Sequence, residues 1–179
     1  EQIGEQAFVL RGFARPWVTR LLPALAEVLA AAPFRNMLTP GGFTMSVGLS
    51  SCGSLGWTTD RSGYRYTPLD PVSGHPWPAM PAAFRELARL AASEAGFPGF
   101  EPDACLINRY LPGAKMSLHQ DKNERSYEWP VVSVSLGLPA VFLFGGLEGQ
   151  KIGELYGPVT FGEIGYQLLN QTLVVLRID

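Results

Sequence analysis

The spacing of apolar residues predicts two helices in the first hundred residues. Between residues 16 and 32, apolar side chains recur every three or four positions, as in an amphipathic helix. Pro23 interrupts this stretch, so we expect the helix to start or kink there. A second helix is predicted from Pro81, which suits a first turn, to Gly96, which suits an end. Its apolar stripe consists of Phe84, Leu87, Leu90 and Ala91.

Short apolar runs predict strands on both sides of these helices. The predicted strands cover residues 7–10, 43–49, 64–66, 104–110, 116–120, 131–136, 140–144, 158–161 and 173–178, with a turn or short helix between the last two. The rest of the stretch 50–78 is rich in Gly, Ser and Pro and is expected to be loop. Two helices followed by a series of strands predict a mainly β fold, a sheet sandwich with flanking helices.

Composition and charge narrow the class of protein. The chain has 179 residues, 46% of them hydrophobic and 17% charged, which indicates one globular domain. The formal net charge of −2 gives no general attraction to nucleic acid, so such binding would need a local patch. Cys52 and Cys105 form no CxxC motif, which favours a reducing, cytoplasmic setting over a zinc or disulfide scaffold. No apolar run approaches a membrane span, so no membrane partner is expected.

His119 and Asp121 are the first candidates for chemistry. On a strand, side chains two positions apart share a face. Two histidines and one carboxylate form the facial triad of non-haem iron oxygenases, which leaves positions open for a cosubstrate and oxygen. From the spacing alone, a surface histidine beside an aspartate is the commoner explanation. The second histidine of the chain, His75, is expected to be a loop residue and not a ligand.

Longer motifs surround this pair. They read TPGGFTMS at 39–46, GWTT at 56–59, PWPAMP at 76–81, PDACLINRY at 102–110, PGAK at 112–115, LHQDK at 118–122, VSVSLG at 132–137 and FGG at 144–146. In this order they resemble the AlkB family of Fe(II)/2-oxoglutarate-dependent demethylases of alkylated nucleic acids. The resemblance covers residues 7–147, and so many ordered motifs are far more specific than the HxD spacing.

The resemblance implies a double-stranded β-helix, or jelly roll, with helices packed outside it. A single domain over residues 1–179 is expected, with helices and a nucleotide-recognition lid in 1–100, a jelly-roll core in 101–179 and a divergent tail from about 148. The implied cofactors are ferrous iron, 2-oxoglutarate and oxygen. Ferryl chemistry in this family hydroxylates the alkyl group of a damaged base, which then leaves as an aldehyde. The implied partner of this monomer is alkylated single- or double-stranded DNA or RNA.

The resemblance also assigns roles to individual residues. His119 and Asp121 match the first two iron ligands, while Asn108 and Tyr110 match residues that bind 2-oxoglutarate. By spacing alone, Tyr110 could equally be a core aromatic. For Arg109, a structural contact is as good an explanation as a functional one.

Further residues match the family's substrate site. These are Trp57, Tyr64, Tyr66, Thr39, Met45, Ser117 and Asn123. The aromatic rings offer flat faces on which a flipped base can stack, although ordinary packing of a loop would also explain them. Asn123 departs from the family, because an acidic residue reads the base edge at that position. Positive charge for phosphates could come from Arg61, Arg65, Lys115, Lys122 and Arg125, or these could be ordinary surface residues.

The tail lacks two features of a complete family member. No histidine follows His119, and the RxxxxxR pair that binds 2-oxoglutarate is missing. Arg177 could bind a carboxylate, although a surface arginine at a strand end is the commoner case. Glu154 and Glu163 could replace the missing iron ligand, but their spacing does not favour them over surface acids.

Three functions therefore stay open at the level of sequence. The first is an active nucleic-acid dealkylase. The second is a catalytically impaired or dead relative, whether natural, engineered or designed, that lacks the third iron ligand and the arginines. The third is a dioxygenase of a small molecule on the same scaffold, because a fold does not determine its substrate.

Overall fold

Strands outnumber helices in this chain. The computed structural model describes residues 1–4, 7–117, 119, 121, 124, 126–137, 139–145, 151–158, 165–168 and 173–177, the last four of these ranges through their backbone only. The helices are α1 (Val18–Ala31), preceded by a 3₁₀ turn at Arg15–Trp17, and α2 (Ala82–Glu94). The strands are β1 (Gln2–Gly4), β2 (Ala7–Arg11), β3 (Gly48–Gly53), β4 (Gly56–Asp60), β5 (Gly63–Thr67), β6 (Ala104–Arg109), β7 (Val131–Val134), β8 (Pro139–Gly145), β9 (Lys151–Pro158), β10 (Gly165–Leu168) and β11 (Leu173–Arg177).

The first predicted helix forms, but Pro23 does not begin it. Helix α1 starts at Val18 and continues through Pro23 to Ala31. A proline inside a helix removes one backbone hydrogen bond. The buried side chains of Leu21 and Val28, on either side of Pro23, attach this helix to the core and offset that loss.

Helix α2 is confirmed at both ends. Pro81 is the residue that precedes the first turn, and Gly96 follows the last one with φ +95°. The Phe97 amide donates to the Ala92 carbonyl at 2.8 Å, and the Gly96 amide donates to the Ser93 carbonyl at 3.0 Å. These two bonds form a Schellman motif, which needs a residue that tolerates positive φ.

The tail contributes a strand to the sheet that contains the beginning of the chain. The four-stranded sheet has the order β1-β2-β11-β7, and β11 runs parallel to both of its neighbours. Helix α2 lies against β7 and β11. The other described sheets are β10-β8-β9, β3-β6 and β4-β5. The mainly β fold with two helices is confirmed, and no helix within the described ranges is long and apolar enough to cross a bilayer.

Two apolar clusters hold the helices on the strands. The first joins Leu21 of α1 to Leu87 and Ala91 of α2, with Phe8 and Val132 packed against it. The second joins Val28, Cys52 and Met80, with Cys105 and Ile107 beside them. Because Cys105 and Ile107 belong to β6, this second cluster attaches the strand that leads towards His119 to the core.

In the first half of the chain, the structure shifts one predicted strand and adds another that was not predicted. The strand expected at 43–49 lies instead at Gly48–Gly53, where it pairs with β6 in antiparallel register. It escaped the apolar pattern because its buried centre carries serines, and Ser50 donates its hydroxyl to the Ala32 carbonyl at 2.5 Å. Strand β4 was expected to be loop, whereas the strand expected at 64–66 is confirmed within β5.

In the second half of the chain, the structure corrects the predicted strands around His119 and in the tail. Met116 and Ser117 lie in no strand, and His119 forms only an isolated bridge, so the strand expected at 116–120 is wrong at those residues. Strand β10 replaces the expected turn or short helix, and β9 ends at Pro158, where a strand was expected to begin. Residues 159–161 lie outside the described ranges.

Candidate active site

His119 and Asp121 face each other, with 3.7 Å between His119 Nε2 and Asp121 Oδ1. The other ring nitrogen, Nδ1, lies 2.9 Å from the Ser117 carbonyl oxygen. Because a carbonyl oxygen can only accept, Nδ1 is the donor in this contact, and Nε2 is the ring nitrogen that faces the carboxylate. A backbone carbonyl that orients a histidine in this way is typical of metal ligands. The two side chains are 40% and 31% exposed, so they are accessible to an ion.

This donor pair fits two of the three protein ligands of ferrous iron. Imidazole nitrogen and carboxylate oxygen are the donors of the facial triad, and both converge here. Within the described residues, no group of three His, Cys, Asp or Glu side chains could hold a metal ion. Burial raises the pKa of Asp121, while the nearby His119 acts in the opposite direction. Bound iron would favour the charged carboxylate and offset the cost of burying it.

The residues expected to bind 2-oxoglutarate lie at and just beyond the end of β6. Asn108 is exposed and pairs in register with Leu49 of β3. Tyr110 follows the strand by one residue, and its hydroxyl contacts Met116 Sδ at 4.0 Å. Burial raises the pKa of Tyr110 to about 12, so it stays a neutral hydrogen-bond donor at physiological pH. Arg109 lies over the Phe34 ring, 4.5 Å from its centroid, which favours a structural role.

Arg177, the remaining candidate for 2-oxoglutarate, lies in β11. Its backbone is in register with Arg11 of β2, in the sheet that also contains β7. The side chain of Arg177 is outside the described part of the structure, as is that of Glu154 in β9, and Glu163 lies outside it entirely.

Three predicted substrate residues share one face of the β4–β5 hairpin. Trp57 is opposite Tyr66, and Thr59 is opposite Tyr64, so these four side chains are on the same side of the two strands. The rings of Trp57 and Tyr64 stack with their centroids 5.7 Å apart and their planes 24° apart. We call these four residues the aromatic face. Such a surface can bind a flat ligand by stacking.

The aromatic face is connected to the metal segment, residues 117–124, through Tyr66. Its hydroxyl donates to Glu124 Oε1 at 2.8 Å. Burial raises the pKa of Tyr66 far above its usual value, and the negative charge of Glu124 adds to this. Burial also raises the pKa of Glu124, against the effect of the Tyr66 hydrogen bond, and Asp121 contributes to the increase. The contact therefore places the aromatic face close to the carboxylate of the metal pair.

The hairpin is anchored at its base by residues that the sequence analysis missed. Arg35 binds the Asp70 carboxylate through both terminal nitrogens, at 2.5 and 2.6 Å, and Asp70 is 3% exposed. Trp77 donates from Nε1 to the Thr67 carbonyl at 3.1 Å. A Cβ on Gly56 would lie 2.2 Å from the Trp77 ring, so only glycine fits there. The motifs at 56–59 and 76–81 contain both members of this last contact, which is the available sequence signal.

A loop over residues 37–46 contacts both the hairpin and Lys115, which lies two residues before the metal segment. Thr58 Oγ1 lies 3.8 Å from Met37 Sδ, on the hairpin side. Ser46 Oγ donates to the Lys115 carbonyl at 3.0 Å and accepts from the Lys115 amide at 3.2 Å. The motifs at 39–46 and 112–115 therefore meet in space.

The other described substrate candidates contact residues that are close to them in the sequence. Thr39 Oγ1 accepts from the Phe43 amide at 3.2 Å, within its own turn, and the Met45 amide donates to the Met37 carbonyl at 2.8 Å. Ser117 contributes its carbonyl to His119, while its side chain is exposed. Asn123, with Lys122 and Arg125, lies outside the described residues.

Among the cations expected to contact phosphates, Arg65 already forms an ion pair with Asp60 of the same hairpin. Its guanidinium binds the Asp60 carboxylate at 2.6 and 3.0 Å. This exposed ion pair holds the pKa of Asp60 well below its usual value. Arg61 and Lys115 are exposed, and Arg61 lies beside the turn at Gly42. The patch expected from five cations thus has two exposed members among the described residues.

Comparison with known proteins decides the family. The sequence matches the model of the 2OG-Fe(II) oxygenase superfamily over residues 6–176. It is 56% identical over 148 residues to the alpha-ketoglutarate-dependent dioxygenase AlkB of Escherichia coli (strain K12), a match that covers 83% of this chain and 68% of that protein. The chain belongs to the AlkB family. The family assignment and the enzyme class inferred from the sequence motifs are therefore confirmed.

Two further relatives share less identity with this chain. The AlkB homolog of Caulobacter vibrioides (strain NA1000 / CB15N) is 47% identical over 128 residues, or 69% of this chain and 56% of that protein. The nucleic acid dioxygenase ALKBH1 of Mus musculus is 32% identical over 97 residues, or 54% of this chain and 25% of that protein. Enzymes of this superfamily use ferrous iron, 2-oxoglutarate and oxygen, and the confirmed cofactor set agrees with the donor chemistry of His119 and Asp121.

Proposed function

We propose that this AlkB-family chain removes alkyl groups oxidatively from bases of DNA or RNA. The observation that carries the proposal is the hydrogen bond between Tyr66 and Glu124, because it joins a stacking surface to the segment that carries the proposed iron-binding pair. The relatives named above include a nucleic acid dioxygenase, which supports a nucleic acid as the partner.

Different residues of the chain would bind iron, 2-oxoglutarate and the base. His119 Nε2 and Asp121 Oδ1 would hold iron, with the Ser117 carbonyl fixing the histidine ring. When bound, iron together with 2-oxoglutarate and oxygen supplies the oxidation of the alkyl carbon. Asn108 and Tyr110 are the proposed contacts of 2-oxoglutarate. Tyr110 suits this role because its hydroxyl can donate a hydrogen bond to a carboxylate or keto oxygen.

The aromatic face is the proposed site for the damaged base. A base can reach a protein pocket only after it leaves the stack, and stacking on aromatic side chains then replaces the interactions it has lost. Trp57 and Tyr64 already lie in such an arrangement, and Tyr64 is 47% exposed and open to a ligand. A small-molecule substrate would make less use of a surface of this kind.

Four finer expectations remain proposals. We propose that the strands close into the double-stranded β-helix of the superfamily, within a single domain over residues 1–179. The position of β11 between β2 and β7 supports this, because it joins the tail to the first strands of the chain. A monomer in the cytoplasm is proposed as well, and the free thiols of Cys52 and Cys105, opposite each other on β3 and β6, support a reducing compartment.

The decisive experiment measures formaldehyde released from a methylated single-stranded oligonucleotide in the presence of Fe(II) and 2-oxoglutarate. We expect release that His119→Ala lowers at least about 100-fold, because one of two described iron ligands is lost. His75→Ala is the matched control, since His75 is an exposed loop histidine away from the pair. No formaldehyde above the His119→Ala background would contradict the proposal.

A second candidate is a relative with impaired turnover that still binds nucleic acid. It is favoured by the two-donor metal site, since no third His, Cys, Asp or Glu ligand converges there among the described residues. Oligonucleotide binding without formaldehyde release, together with weak iron binding, would identify this case.

A further inference from the structure

Thr59 carries a buried hydroxyl that lacks a hydrogen-bond partner. The residue is 4% exposed, and Thr59 Oγ1 finds no partner within the described part of the chain. Buried polar atoms are almost always hydrogen-bonded, so each exception calls for a physical explanation. The neighbouring Thr58 is equally buried, at 2% exposure, but its hydroxyl contacts Met37 Sδ at 3.8 Å.

The position of this hydroxyl points to a ligand. Thr59 pairs directly with Tyr64 across the hairpin, and Trp57 precedes it by two residues on the same side of β4. Thr59 is therefore a neighbour of both residues whose rings stack on each other. Tyr66, at the other end of the aromatic face, is directed towards Glu124 in the metal segment. A ligand that stacks on this face brings its polar edge within reach of Thr59.

We propose that Thr59 contacts the nucleobase, with its hydroxyl hydrogen-bonded to the edge of a base stacked on the aromatic face. The inference rests on the proposed function and deepens it, since it names a residue that recognises the base itself. Thr59 is paired across the hairpin with Tyr64, which is 47% exposed, so the buried threonine lies beside a solvent-accessible side chain of the aromatic face. A base paired within a duplex cannot present its edge there, so the substrate is a single strand or a base flipped out of a duplex.

The test compares Thr59→Val with Thr59→Ser in the full chain. Valine keeps the branched shape and removes the hydroxyl, whereas serine keeps the hydroxyl. Binding is measured by fluorescence anisotropy with a labelled single-stranded thymidine decamer and with an abasic decamer, which has the same phosphates but no bases. We expect Thr59→Val to bind the thymidine strand about 5- to 10-fold more weakly, as for one lost neutral hydrogen bond, and Thr59→Ser to bind within about 2-fold of wild type. Binding of the abasic strand should stay unchanged.

Thermal unfolding is a second test, because Thr59→Val should weaken binding without lowering the stability of the free protein. If the hydroxyl is unpartnered in the free protein, its removal leaves the melting temperature unchanged or raises it. A lower melting temperature for Thr59→Val would reveal an internal partner and overturn the inference. Equal binding of the thymidine strand by wild type and Thr59→Val, or an equal loss for both strands, would also overturn it.

The proposed function fails in a different way. If the wild-type chain binds neither strand, the nucleic-acid function is contradicted, and the assignment of Thr59 falls with it. If the wild type binds and releases formaldehyde while Thr59→Val behaves identically, only the assignment of Thr59 is wrong.

Discussion

The aromatic face and the metal segment differ in how they are held. The hairpin that carries the aromatic face has a continuous strand register from Gly56↔Thr67 to Asp60↔Gly63, and its base is anchored by Asp70 and Trp77. In the metal segment, His119 forms one isolated bridge, and its side chain is 40% exposed. The proposed surface for the base is thus built by the protein's own contacts, whereas the proposed metal pair is partly exposed.

This difference suggests a division between a preorganised part and an adaptable part. A rigid stacking surface loses little conformational entropy when a base binds. A metal site can be adjusted by its ion, because coordination supplies free energy of its own. Glu124 connects the two parts through Tyr66, so it is the point at which changes in one region reach the other.

The largest expected effect comes from removing the anchor of the hairpin. Asp70→Ala leaves the Arg35 guanidinium without its buried partner, and we expect the free energy of unfolding to fall by about 3 kcal/mol. Urea denaturation measures this loss. Asp60→Ala is the matched control, because its ion pair with Arg65 is exposed and should contribute far less. Equal losses in the two variants would show that Asp70 is not an anchor.

A smaller effect is expected from the aromatic face itself. Trp57→Ala removes one of the two stacked rings, and we expect single-stranded oligonucleotide to bind about 1–3 kcal/mol more weakly, the usual contribution of one stacked base. Trp129→Ala is the control, because Trp129 is 40% exposed and packs against Phe100 instead. Anisotropy titrations compare the two, and the same loss in both would contradict a specific stacking surface.

The smallest effect concerns the connection between the two regions. Burial raises the pKa of Glu124, so its charged form is disfavoured in the folded state. In iron-free protein, the free energy of unfolding should therefore rise as the pH is lowered from 7 towards 4.5, and Glu124→Gln should reduce that rise. Chemical denaturation at several pH values measures it.

Asp70 provides the contrasting case for this pH dependence. Arg35 lowers the pKa of Asp70, so its contribution is present above the ordinary aspartate pKa of about 3.9 and is lost only as the pH falls further. Asp70→Asn should then leave the slope between pH 7 and 4.5 intact. A Glu124→Gln slope identical to that of wild type would show that Glu124 is not held in a buried environment.

Parts of the fold could be predicted from local sequence. Helix α2 has an apolar stripe, a proline before its start and a glycine at its end, and all three act within a few residues. Strand β6 was recognised from its apolar run. Strand β3 was misplaced, because its buried serines are satisfied by partners such as the Ala32 carbonyl, eighteen residues away in the chain. The local spacing of apolar residues does not indicate such a distant partner.

The candidate site shows the same limit. The two-residue spacing made His119 and Asp121 candidates for a metal pair, but only the ordered motifs, which resemble the AlkB family, favoured that role over a surface pair. Glu124 and Thr59 were missed, because neither residue type nor spacing distinguishes them from surface or strand residues. Glu124 is identified by its hydrogen bond to Tyr66, 58 positions away in the chain. Thr59 is identified by its buried hydroxyl, which has no hydrogen-bond partner among the described residues.

The sequence by itself determined the AlkB family and the two helices, and it nominated His119 and Asp121 as a candidate metal pair, because these depend on local spacing and on ordered motifs. Tertiary structure decided the insertion of β11 between β2 and β7, the anchoring of the hairpin by Arg35 and Asp70, and the approach of Tyr66 to Glu124. Each of these joins residues tens of positions apart. Such contacts form only when the packed chain buries both partners together, and no short stretch of sequence records them.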